Sequence, residues 1–170
     1  MDEVQLRFPL ITGSVVGQPN TGPILVEKAR VGKSIALDLA KLGDTSDRLA
    51  APLLPQFEQA GLSVQPRSAR FARLGTFAYR PTGESLGGGA LRDEAGKGLV
   101  LAYFDAPCRV TGTLRIGPVE ASHDLTITHR GFHWLTVDEI GKDRYSVRNR
   151  PPPGSVTFVI ILPEPADRRT

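Results

Sequence analysis

Ser122-His-Asp-Leu-Thr-Ile-Thr-His-Arg-Gly-Phe-His-Trp134 is the stretch whose pattern decides the fold. Leu125 and Ile127 point one way, while Asp124, Thr126, Thr128 and Arg130 point the other. A side-chain period of two marks a half-buried strand. Gly131-Phe132 breaks the alternation, and Trp134-Leu-Thr-Val137 resumes it. The same period runs upstream, where Cys108, Val110, Gly112, Leu114 and Ile116 alternate with Arg109, Thr111, Thr113 and Arg115. Downstream, Gly141-Lys-Asp143 is a turn, and Tyr145 and Val147 continue the pattern. Arg150-Pro-Pro-Pro-Gly154 reads as a stiff connector. Val156 to Leu162 is almost wholly apolar, which predicts a central strand covered on both faces. Pro163 ends it, and a polar tail over 164–170 is expected to fray. Short strands punctuated by turns predict a mainly β (α+β) chain. Its architecture is a β-sandwich or open barrel of short antiparallel strands with one docked amphipathic helix.

Towards the N-terminus, Val4, Leu6, Phe8 and Leu10 alternate with Gln5, Arg7 and Pro9, so an opening strand is expected, at a sheet edge or bulged at Pro9. Gly17-Gln-Pro-Asn-Thr-Gly-Pro23 is a turn cluster, and Ile24 to Val31 a second strand. Lys33 to Leu42 fits either period and is read as a strand. Asp44-Thr-Ser-Asp47 offers N-caps before Leu49, Leu53, Leu54 and Phe57, which predicts a helix over Ser46 to Ala60, ended by Gly61. Leu62-Ser-Val64 follows as a strand, Ser68 to Leu74 as a helical turn, and Thr76 to Arg80 as extended chain. Six glycines between Thr82 and Gly98 predict a long exposed hairpin loop. The expected organisation is a single domain over 1–170. It comprises a β/α portion over 1–80, the glycine loop over 82–98, a sandwich portion over 99–163 and the tail.

A chain of 170 residues with 40% hydrophobic side chains can build a true core. Its 18 glycines and 14 prolines favour turns over long helices. The net charge of +3 is a small excess of 21 basic over 18 acidic residues. Two arginine clusters, Arg67, Arg70, Arg73 and Arg80, then Arg144, Arg148 and Arg150, lack the interleaved aromatics of a base-stacking platform, so no nucleic acid is expected. One cysteine excludes an internal disulfide. No apolar run is long enough for a membrane-spanning helix. Met1-Asp-Glu-Val lacks the regions of a signal peptide, although a mature sequence behind a removed one would look the same. The composition leans towards a bacterial periplasmic or envelope protein deprived of its signal peptide, with the cytoplasm as the alternative.

Chemistry-bearing residues gather at one place. His123, His129 and His133 share a parity. On one continuous strand His123 and His129 would lie about 20 Å apart, too far for a shared metal. A turn at Gly131 would instead fold His129 and His133 together. Asp124, Asp138 or Cys108 from a neighbouring strand would then complete a site. Without a recognised ligand spacing, these histidines read first as caps on a buried strand face. Cys108 falls on the apolar side of its strand, where a thiol is normally inert, although a Cys–His nucleophile pair is conceivable chemistry. Gly32-Lys33-Ser34 has the ending of a phosphate-binding loop but carries Glu27 where the motif needs glycine. Neither a nucleophile elbow nor a dinucleotide-binding glycine motif occurs. Phe132 and Trp134 flank His133 and serve either the core or a partner contact.

The absence of a complete catalytic motif on a β scaffold points to a non-enzymatic binding or assembly module. It would present loops or a sheet edge to a protein partner or to a second copy of itself. The expected contact residues are Phe132, His133 and Trp134 at the corner, and Gly87, Gly88 and Gly89 in the loop. No cofactor is expected on that reading. The alternative is a metal-binding protein or metal-dependent enzyme holding a transition metal such as zinc on His129, His133, His123 and Cys108.

Overall fold

Glycine, proline and alternating apolar residues cut the chain into many short strands and two helices. The computed structural model describes residues 3–12 and 23–161. The first elements are β1 (Glu3–Thr12), β2 (Pro23–Arg30), α1 (Leu39–Leu49), α2 (Pro55–Gln59), β3 (Leu62–Gln65), β4 (Phe71–Leu74), β5 (Phe77–Tyr79) and β6 (Ser85–Arg92). There follow β7 (Gly98–Phe104), β8 (Cys108–Ile116), β9 (Val119–Ile127), β10 (Gly131–Gly141), β11 (Arg144–Asn149) and β12 (Thr157–Ile160). The mainly β class with one substantial helix is as the sequence predicts.

One ladder runs β12-β6-β5-β1-β4-β7-β10-β11-β9-β8-β3, with β2 beside β1. Because β6 also pairs with β7, the strands β1, β4, β7, β6 and β5 form a closed ring. All pairs are antiparallel except β9 with β11, which run parallel because β10 and β11 form a hairpin that brings β11 back alongside β9. The strands β4, β7 and β10 act as a shared wall. On one side lies a core containing Leu6, Phe8, Leu10, Leu74, Leu101 and Tyr103. On the other lies a core containing Phe71, Ala102, Phe104, Val110, Leu125 and Leu135. Alternation of side chains across a strand is what lets one wall serve two cores.

Several local expectations are corrected. Lys33 to Asp38 is irregular rather than a strand, and Ile35 and Leu37 pack on the first core from it. The main helix begins earlier than predicted, at Leu39, because Asp38 is its N-cap, accepting a hydrogen bond from the Lys41 amide at 3.1 Å. Asp44 to Asp47 therefore lie inside the helix. It ends at Leu49 because Pro52 biases the preceding Ala51 to extended backbone, where it bridges Phe71. Pro55 starts a separate short helix, as N1 proline does. Ser68 to Leu74 contains strand β4 instead of a helical turn.

The glycine-rich segment is mostly strand β6, with turns at 81–84 before it and 93–97 after it. At Gly89 the reason is close packing: a Cβ there would stand 2.1 Å from the Phe158 ring. The last strand is an edge strand with one face covered, not a buried central one. Pro9 does mark a register shift, but β1 is interior to the sheet. The turn cluster over 17–22, the strand end at Leu162, Pro163 and the tail lie outside the described residues.

Candidate functional site

The turn at Gly131 does fold two histidines together. Gly131 adopts φ +129°, and the His129 and His133 rings lie 4.5 Å apart between centroids. His133 Nε2 is 2.8 Å from the His129 carbonyl, which can only accept, so Nε2–H donates. His129 Nδ1 meets the Thr128 hydroxyl at 3.1 Å. The His133 ring stands edge-on to Phe104. His123 is elsewhere, 5% exposed on β9, and its Nδ1–H donates to the Ala121 carbonyl at 2.9 Å. Burial holds its imidazole below the ordinary range, so the ring is neutral at pH 7. Cys108 is buried in the second core, and burial, helped by the charge of Asp105, pushes its thiol up to about 11. Among the described residues, no group of three or more histidine, cysteine or acidic side chains is placed to hold a metal.

Beside the histidine corner lies a network that the sequence did not announce. Tyr103 is 3% exposed, donates to Asp47 Oδ1 at 2.9 Å and accepts from Arg130 Nε at 2.9 Å. Arg130 also pairs with Asp47 Oδ2 at 3.0 Å. Arg70 meets Asp105 through Nε at 2.8 Å and through its backbone amide at 2.7 Å. Two arginines against two aspartates make a balanced set. Burial first, and donation to Asp47 second, push the Tyr103 phenol up, so it stays a neutral hydroxyl. The arrangement ties α1 to β7 and to the 128–131 turn, which is a structural task. Phe132 packs edge-on to Tyr103, and both Phe132 and Trp134 lean on the first core half-buried. Gly87, Gly88 and Gly89 lie within β6, where they are half-buried rather than held out on a loop.

Two other features fit a binding role better than the corner does. The first is the edge strand β12. Among the described residues it pairs with β6 alone. Val156, Val159 and Ile161 are 39%, 40% and 56% exposed. Phe158 and Ile160 face inward to the first core. Beside it runs a groove of about 610 Å³ between β12 and the chain following β2, with Val31, Ile35 and Val156 in its walls.

The second feature is a concavity on the second-core face of the shared wall, centred on Arg73. A cavity of about 250 Å³ and a wider trough of about 460 Å³ share Arg73, Val100, Val137 and Tyr145. The sequence did carry a signal for Arg73. Phe71-Ala-Arg-Leu74 read as a strand puts Arg73 on the same face as buried Phe71, and the helical-turn reading concealed it. In comparisons with known proteins, the chain matches no family model, no curated protein and no solved structure.

Proposed function

We propose that this chain is a non-enzymatic assembly module that joins another protein strand to strand along β12, and that the strand it takes is β12 of a second copy. The observation that carries this is the composition of the edge. Ser155-Val-Thr-Phe-Val-Ile-Ile161 contains no charge and no proline. Natural sheets guard an exposed edge with lysine, proline, a bulge or a covering loop. An unguarded, β-branched edge is a template for strand addition.

The choice of a second copy follows from the same residues. Two such strands set antiparallel bring no like charges together, and the contact is self-complementary, as a two-fold dimer requires. The groove beside the strand, lined by Val31, Ile35 and Val156 together with Arg30 and Lys33, adds area towards the size a stable interface needs.

Light scattering on a sizing column tests the proposal. The wild-type chain is expected at twice its 18.4 kDa mass. Val159→Lys, at an exposed position, is expected to run as a folded monomer, because it sets two ammonium groups across the joint. A wild-type monomer at every concentration, or an undiminished dimer in V159K, overturns it. Capture of a different, uncharged strand by monomeric wild type would overturn the self-pairing.

A further inference from the structure

Arg73 is placed where an arginine is costly. It sits on β4 between β1 and β7, on the same face as Phe71 and the second core. A guanidinium taken out of water needs a carboxylate or several acceptors in compensation. Among the described residues, the Arg73 side chain has neither an ion pair nor a hydrogen bond; the residue is half-buried, and its Nε is sealed from solvent without a partner. Burial lowers its pKa, yet arginine stays charged in any protein environment. Arg73 therefore lines the cavity as a half-buried cation with no protein partner among the described residues.

The cavity is built like a small-molecule site. Val100, Leu135, Val137 and Val147 give it apolar walls, and His123 and Tyr145 add two polar groups. The His123 Nδ1–H is committed to the Ala121 carbonyl, so Nε2 is left as an acceptor with no hydrogen bond among the described residues. The acids nearby do not answer the charge. Asp138 pairs with Lys97 at 3.5 Å, and Glu139 is exposed at the rim of the trough, in no ion pair with Arg73. Arg92 and Lys97 also line the trough, so cationic side chains outnumber acidic ones there. A concave, mostly apolar pocket with a few convergent polar groups is the usual form of a ligand site.

We propose that this cavity binds a small monocarboxylate with an apolar body, its two oxygens on the Arg73 fork and its body against the valine and leucine walls. A carboxylate matches the planar fork with two parallel hydrogen bonds. A phosphate would need more donors than this apolar wall supplies. The proposal concerns a site separate from β12 and stands independently of the assembly reading.

Calorimetric titration with octanoate and with octanol tests it. Octanoate is expected to bind about tenfold or more tightly than octanol, which lacks the charge. Arg73→Met is expected to remove that preference while keeping the fold, since it replaces a half-buried cation, unpaired among the described residues, by an apolar chain of similar length. Val137→Phe narrows the cavity from β10, two strands along the same wall, with Arg73 intact, and is expected to weaken octanoate and octanol alike. It keeps the test readable if R73M fails to fold. Failure of the wild type to bind octanoate, equal binding of octanol, or unchanged octanoate binding in either folded variant overturns the proposal.

Discussion

At the scale of single residues, burial decides what each polar group does. His123 is the clearest case. Its ring is buried on β9 and its imidazole is held below its ordinary 6.5 by that burial, against the hydrogen bond to Ala121. A base depressed in the folded chain binds fewer protons there than in the unfolded chain. Its share of stability is therefore whole above about pH 6.5 and is lost as the pH falls from there towards the depressed folded value. Urea unfolding at about pH 7.5 and about pH 5.5 is expected to show a steeper acid loss in wild type than in His123→Gln. Equal slopes would mean that the ring titrates normally.

Asp93 is governed by hydrogen bonds instead. Burial would raise its carboxyl, but the Lys97 and Ala95 amides and the Arg150 guanidinium outweigh that and hold it below the ordinary range. Asp93 thereby fixes the β6–β7 turn to the start of the proline connector. At this scale the sequence offered the residue types but not their partners. The gathering of His129 and His133 was legible because a glycine sat between them at turn spacing. The bonds of Asp47 to Tyr103 and Arg130 span far-apart segments and left no local trace.

Among the elements, strands were legible wherever the period of two was clean, as in β1, β8, β9 and β11. The misreadings share a physical cause. Arg73 interrupts the apolar side of β4, and three consecutive glycines remove the pattern from β6, so packing rather than local preference made them strands. α1 was displaced because Asp38 competes as a cap with the Asp44-Thr-Ser-Asp47 stretch, and only Asp38 stands before the residues that bury, Leu42 and Ser46. β12 was placed centrally because apolar composition reports burial potential, whereas its position in the sheet is set by topology.

Close backbone approach fixes one joint between elements. A Cβ on Gly112 would stand 2.1 Å from the Gly61 carbonyl oxygen, and Gly112 itself adopts φ +112°. Gly112 pairs with Leu62 where β8 meets β3. Gly112→Ala is expected to destabilise the chain by about 2–3 kcal/mol, through overpacking against backbone and the strained φ. Chemical unfolding measures this, and a loss below about 0.5 kcal/mol, the level of an ordinary surface change, would contradict the joint.

Over the whole molecule, a shared wall with a core on either face leaves two kinds of surface unresolved by packing. One is the open concavity lined by Arg73, whose side chain has no partner among the described residues. The other is β12, which pairs with β6 alone among the described residues. We propose a small carboxylate at the first and another strand at the second. No helix among the described residues is long and apolar enough to cross a membrane.

Amide exchange on β12 reads the proposed strand-to-strand assembly directly. The Ile161 amide donates to the Gly88 carbonyl of β6 at 2.9 Å. Antiparallel alternation then turns the Thr157 and Val159 amides towards β6, and the Phe158 and Ile160 amides towards the open edge. Residue-resolved hydrogen exchange as a function of protein concentration is the measurement. The account predicts that Phe158 and Ile160 become protected as concentration rises, with V159K abolishing the effect. Fast exchange at both amides at every concentration would contradict it.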